Sequence, residues 1–153
     1  GVLASIQPAH ATADMTWLEE RLGPERILSA HAWRTLLDNE VRLTGGTDFP
    51  YESANPLWAF YAAITRQDHQ ARPTAGWEPQ ERLTRDEALK MLTLNGAYAA
   101  FEEETKGSIQ VGKWADLVVL SKNIMTIPAS EILDTQVLAT MVGGTTTYAN
   151  STK

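Results

Sequence analysis

The chain has 153 residues, 43% of them hydrophobic and 21% charged, which fits one ordinary globular domain and excludes disordered, collagenous and low-complexity chains. Nineteen acidic and thirteen basic residues leave a net charge of −6, so no basic face for phosphates is expected and nucleic acid is set aside as a partner. With no cysteine, disulfides, iron–sulfur clusters, thiolate zinc and a cysteine nucleophile are excluded, and any metal must be held by histidine and carboxylate.

Residues 1–7 (GVLASIQ) are mostly apolar on both alternating sets, as for a strand covered on both faces, and Pro8 ends it because proline has no N–H for a sheet ladder. A chain that opens inside a buried strand reads as the continuation of something longer, with Gly1 as a cut point. Asp14 is expected to cap a short helix through about Leu22, closed by Gly23-Pro24, and residues 30–37 (AHAWRTLL) to form another. Residues 41–46 then form a second strand that runs into GTDFP at 46–50. Strand, helix, strand with an abrupt polar end is the grammar of a parallel α/β sheet.

Asn55 as N-cap and Pro56 at the first helical position open a third helix, in which Leu57, Phe60, Tyr61 and Ile64 share one face. Residues 67–83, with two prolines and one glycine, read as a long surface loop. Thr84 and Glu87 have the spacing of a capping box, Leu83 and Ala88 that of a hydrophobic staple, and a helix from 85 to about 102 is expected behind them. After Gly107 the period changes. Residues 108–111 and 117–120 read as short strands, and 137–142 and 145–148 as a hairpin about Gly143-Gly144. The expected organisation is an α/β body over 1–106 and a small β segment over 107–153. No apolar run approaches the ~20 residues of a membrane-spanning helix and no basic leader opens the chain, so the expectation is a cytoplasmic protein with no membrane partner.

His10 follows the first predicted strand and Asp48 the second. In α/β sheets, side chains converge on ligands at strand carboxyl ends. Each residue alone reads as a turn or cap position; at equivalent offsets from two strands they form a candidate metal or acid–base pair.

The segments QPAH (7–10), AWR (32–34), GTDFP (46–50), NPL (55–57), AITR (63–66), KGSI (106–109) and GKWADL (112–117) occur in this order. Together they resemble the C-terminal part of the metal-dependent amidohydrolase superfamily, in the branch that includes N-substituted formamide deformylase, over essentially the whole chain. The resemblance implies the last strands of a (β/α)8 TIM-type barrel, a small β-sandwich built from both chain ends, and one or two divalent metals, zinc foremost. A complete barrel takes about 250 residues. By this match residues 1–7 would be strand six, 25–29 strand seven and 41–46 strand eight. His10 resembles the metal-ligand histidine after strand six, and Asp48 the aspartate after strand eight that binds metal and moves protons. The other ligands implied, a His-x-His on strand one, a carboxylated lysine or glutamate after strand four and a histidine after strand five, would lie upstream of Gly1. His31, where the family usually has tyrosine, and His69 fall on a helix and in a loop and are not assigned as ligands.

The activity implied is hydrolysis of a non-peptide C–N bond in a small amide-type substrate by metal-activated water, with Asp48 accepting the water's proton. No Gly-x-Ser-x-Gly or phosphate-binding Gly-x-x-x-x-Gly-Lys is present. The competing reading is a non-catalytic truncated fragment, stable only because exposed barrel edges pair with another copy, and a homo-oligomer is expected. Arg66 reads as a cation at a helix C-terminus, satisfied by the helix dipole. Trp33, Trp58, Trp77 and Trp114 read as packing residues, with Trp77, in the long loop, the one placed to touch a substrate. Asn150-Ser151-Thr152 matches a glycosylation acceptor but carries no weight without a secretory signal.

Overall fold

Residues 1–150 are described by a computed structural model; residues 151–153, and with them the Asn150-Ser151-Thr152 pattern beyond its first residue, lie outside the described part. Strand β1 (Leu3–Ile6) pairs in parallel with β2 (Arg42–Gly45), Leu3 opposite Arg42 and Ile6 opposite Gly45. Between them run α1 (Pro8–Asp14), α2 (Leu18–Arg26), a 3-10 turn at Ile27–Ser29 and α3 (Trp33–Asp38). Pro8 both stops β1 and starts α1, because its missing N–H is harmless in a first helical turn. Asp14 therefore ends α1 instead of capping the helix after it.

The strand expected at residues 25–29 does not form. Those residues finish α2 and the 3-10 turn, and β1 lies directly beside β2. Gly23, at φ 76° and ψ 170°, breaks α2 so that Pro24 can restart it. Of the segment's two aliphatic side chains Ile27 is buried and Leu28 exposed, too little apolar surface for a strand covered on both faces.

Helix α4 (Pro56–Thr65) begins as expected, with Asn55 Oδ1 accepting the Leu57 N–H at 3.0 Å. It is not one-sided. Residues 57–63 and Thr65 are all buried, since the helix carries no charge and sits between α1 and α5 (Arg85–Leu92). At the start of α5 the Thr84–Glu87 capping box forms in both directions, and Leu83 and Ala88 are buried beside it. The helix expected to continue to about residue 102 breaks at Thr93 (φ −127°, ψ −89°) and resumes as α6 (Leu94–Ala99). Two bonds favour that break: Thr93 Oγ1 donates to Leu89 O at 2.7 Å, and Asn95 Nδ2 to Leu43 O in β2 at 2.8 Å. Gly45 lets α5 approach β2, because a Cβ there would lie 2.9 Å from the buried Met91 side chain.

The second sheet is antiparallel, in the order β3 (Leu117–Leu120), β4 (Val137–Val142), β5 (Thr145–Ala149). Gly143 and Gly144 both take positive φ in the turn between β4 and β5, which suits the twist of a tight hairpin. Residues 108–111 are irregular, not a strand; Ile109 and Val111 are exposed, and the segment's backbone closes a turn, Gln110 O accepting the Lys113 N–H at 3.1 Å, instead of joining a ladder. Ile124 and Ile132, from the β3–β4 connection, enter the same core as Trp33, Leu43, Phe60 and Met91. A forked ion pair ties α3 to α5, with Arg34 Nη1 and Nη2 2.8 and 2.5 Å from the Glu87 carboxylate. That guanidinium, with the Thr84 bonds, holds the Glu87 carboxyl down at about 2. No helix of the described residues is long and apolar enough to cross a membrane.

Candidate functional site

His10 is the third residue of α1, just past β1, and Asp48 is the third residue past β2. Parallel pairing of the two strands brings these positions to one end of the sheet. His10 Nε2 and Asp48 Oδ2 are 3.5 Å apart. Asp48 has a left-handed backbone (φ 56°), a conformation aspartate enters more readily than most residues. Its carbonyl accepts the Tyr51 N–H at 2.9 Å. The Tyr51 ring in turn meets the His10 ring edge-on, with centroids 5.1 Å apart.

The ring nitrogen facing Asp48 has no hydrogen-bond partner although it is buried, and such an atom is costly to leave unsatisfied. The carboxylate oxygen beside it is at the contact limit, too far for a good hydrogen bond. A tetrahedral metal with arms of about 2.0–2.2 Å separates two of its ligands by about 3.3–3.6 Å. The pair therefore fits two corners of a zinc-type site. Among the described residues no group of three His, Asp or Glu side chains could hold a metal, whereas catalytic zinc usually takes three ligands from protein.

The direct β1–β2 pairing changes the strand count behind His10. If β2 is the eighth strand of a barrel, His10 follows the seventh, not the sixth. Its candidacy rests on the buried, unpartnered Nε2 beside Asp48 and not on its strand number.

A cleft of about 300 Å³ opens at the carboxyl end of β1, lined in part by Ser5, Ile6, His10, His31, Trp33 and Leu36. Sequence reasoning missed its far wall. His31 Nε2 lies 3.3 Å from Asp14 Oδ2, and burial pushes the His31 pKa below its ordinary value although the Asp14 bond pulls the other way. Arg66, expected only as a cation satisfied by a helix dipole, is wholly buried. It donates from Nε to Trp77 O at 2.8 Å and from Nη1 to His31 O at 2.9 Å. Its guanidinium lies 4.4 Å from the Trp33 ring centroid and 4.8 Å from that of Trp77. Burial lowers its pKa to about 10, so it stays charged at neutral pH. Trp77 packs on Arg66 and His31, while Trp33 is the indole that lines the cleft. His69 stacks on Trp58, with centroids 3.6 Å apart, and is not among the residues lining the cleft. The one signal for Arg66 in the sequence was a cation closing a helix with no other charge.

A model of the amidohydrolase family matches residues 1–148. YtcJ of Bacillus subtilis (strain 168), named as an amidohydrolase, is 29% identical over 150 residues, which is 98% of this chain and 28% of that protein. The N-substituted formamide deformylase of Arthrobacter pascens is 36% identical over 115 residues, 75% of this chain and 21% of that protein. Among solved structures, an uncharacterized metal-dependent hydrolase from Pyrococcus furiosus is 30% identical with a TM-score of 0.61, covering 73% of this chain and 22% of that one. The chain thus spans under a third of the length of each of these three proteins.

Proposed function

The chain belongs to the amidohydrolase family, and on that premise we propose that it is the C-terminal part of a longer cytoplasmic metal-dependent hydrolase that cleaves a non-peptide C–N bond in a small amide-type substrate. The observation that carries this reading is the buried, unpartnered His10 Nε2 set 3.5 Å from the Asp48 carboxylate. A divalent metal, zinc by the donor set, would supply an acidic water and polarise the scissile carbonyl. His10 offers that ion a neutral ring nitrogen. Asp48 offers one carboxylate oxygen and is an acceptor-only base for the proton that water loses. Being on a short segment beyond β2, it can pass that proton to the departing amine nitrogen.

In this reading β1 and β2 are neighbouring strands of a (β/α)8 barrel whose remaining strands lie in the rest of the protein. The β3–β5 sheet is then one part of a composite β-sandwich. A groove of about 530 Å³ between α5 and β3, lined by Leu89, Leu94, Ile109, Leu117 and Val118, fits cover by other parts of the protein. The open edges of the β1–β2 ladder favour a second reading, a non-catalytic chain that pairs with another copy.

The longer protein, loaded with zinc, is expected to release amine from a simple N-substituted formamide and to lose that activity to a chelator. This chain alone is expected to do neither chemistry nor tight zinc binding. No amine release by the longer protein at full metal content favours the second reading.

A further inference from the structure

The far wall of the cleft is built around one histidine. His31 has a left-handed backbone (φ 50°), a conformation that a non-glycine residue keeps only when its surroundings impose it. Those surroundings are explicit. Arg66 Nη1 holds the His31 carbonyl at 2.9 Å, and the imidazole stands edge-on to Trp33 and Trp77, with centroids 6.2 and 5.9 Å away. Asp14 faces Nε2 at 3.3 Å. A carboxylate can only accept, so Nε2 carries the hydrogen in that contact and Nδ1 is left with its lone pair. Nδ1 makes no hydrogen bond to the described residues, nor is it among their enclosed, unpartnered atoms. The ring it belongs to lines the same cleft as His10.

We propose that His31 is a specificity-determining residue, whose Nδ1 accepts a hydrogen bond from an N–H of the substrate and so favours secondary over tertiary amides. The inference rests on the amide-hydrolase reading for its substrate class. Asp14 fixes the tautomer, the two indoles fix the ring plane, and Arg66 is a positioning residue that fixes the backbone beneath it. An acceptor held this firmly discriminates because an N-methylated substrate must leave Nδ1 unpaired and place a methyl group against it. The same arrangement explains why a fully buried guanidinium is spent on two backbone carbonyls, the histidine's own and that of Trp77, whose ring packs on it.

Two experiments test it. In this chain, side-chain 15N NMR is expected to show His31 with the proton on Nε2. N-methylacetamide, which has an N–H, is expected to move the Nδ1 resonance, whereas N,N-dimethylacetamide leaves it in place. Movement with both amides, or with neither, overturns the proposal. In the longer protein, kcat/KM for a secondary amide is expected to exceed that for its N-methylated counterpart by about tenfold, the worth of one hydrogen bond. His31→Phe keeps the ring and removes the acceptor, and is expected to abolish that ratio; His31→Gln, which again offers an oxygen acceptor, is expected to restore part of it. An unchanged ratio in His31→Phe overturns the proposal. If His31→Phe does not fold, a full wild-type ratio in Arg66→Lys, which loses the planar fork that reaches the two carbonyls from separate nitrogens, does so instead. If the longer protein hydrolyses neither amide, the reading of its function fails, and the two NMR titrations decide on His31 by themselves.

Discussion

Asp48→Asn in the longer, metal-loaded protein is expected to lower kcat/KM by about a thousandfold or more while leaving the folded state within about 1 kcal/mol of the wild type. The two halves of this expectation have separate grounds. Asparagine has the same shape and tolerates the left-handed backbone that Asp48 adopts. The Asp48 side chain is 56% exposed, so folding depends little on its charge. Chemistry depends on it twice. An amide is a poorer ligand beside His10 Nε2 than a carboxylate, and its NH2 group cannot take a proton from water. Steady-state kinetics at matched metal content, with a thermal melt as control, separates these effects. A variant within tenfold of wild-type kcat/KM would show that Asp48 neither binds the metal nor moves the proton.

Arg66→Ala is expected to destabilise this chain by about 3–5 kcal/mol, a fall in Tm on the order of 10 °C for a domain this size. Arg66 is 0% exposed. Its removal leaves the Trp77 carbonyl without a donor, leaves the His31 carbonyl with only the Trp33 N–H, and opens a gap between the Trp33 and Trp77 rings. The unpaired Trp77 carbonyl costs about 1–3 kcal/mol, the lost charged hydrogen bond to His31 about 1.5–3 kcal/mol, and an indole-lined void adds to that. A cation merely satisfied by a helix dipole would contribute about 0.3–1 kcal/mol, so the two accounts differ by several-fold. A melt shifted by less than about 3 °C would return Arg66 to the role its sequence position first suggested.

What could be read from the sequence was whatever depends on neighbours in the chain. The Asn55 cap, the Thr84–Glu87 box and the Gly143-Gly144 hairpin are each fixed by a few adjacent residues, and all three form as expected. His10 and Asp48 come together because two parallel strands with polar residues at equal offsets leave them little alternative. The misses are tertiary. The resemblance put a strand at residues 25–29, yet Gly23 resets the chain and only Ile27 finds the core. The break at Thr93 is favoured by a bond from Asn95 to β2, 52 positions away. Arg66, His31 and Asp14 belong to no common sequence pattern. Their association appears only when α4 is buried all round and the residue that caps it has nowhere to go except between two indoles.

The position of the metal in crystals of the longer protein, located by anomalous scattering at the zinc edge, tests the account most directly. A peak within about 2.0–2.3 Å of both His10 Nε2 and an Asp48 carboxylate oxygen, with its other ligands from outside this chain, is the result the account predicts. A fully occupied metal that leaves both His10 and Asp48 beyond bonding distance would contradict it.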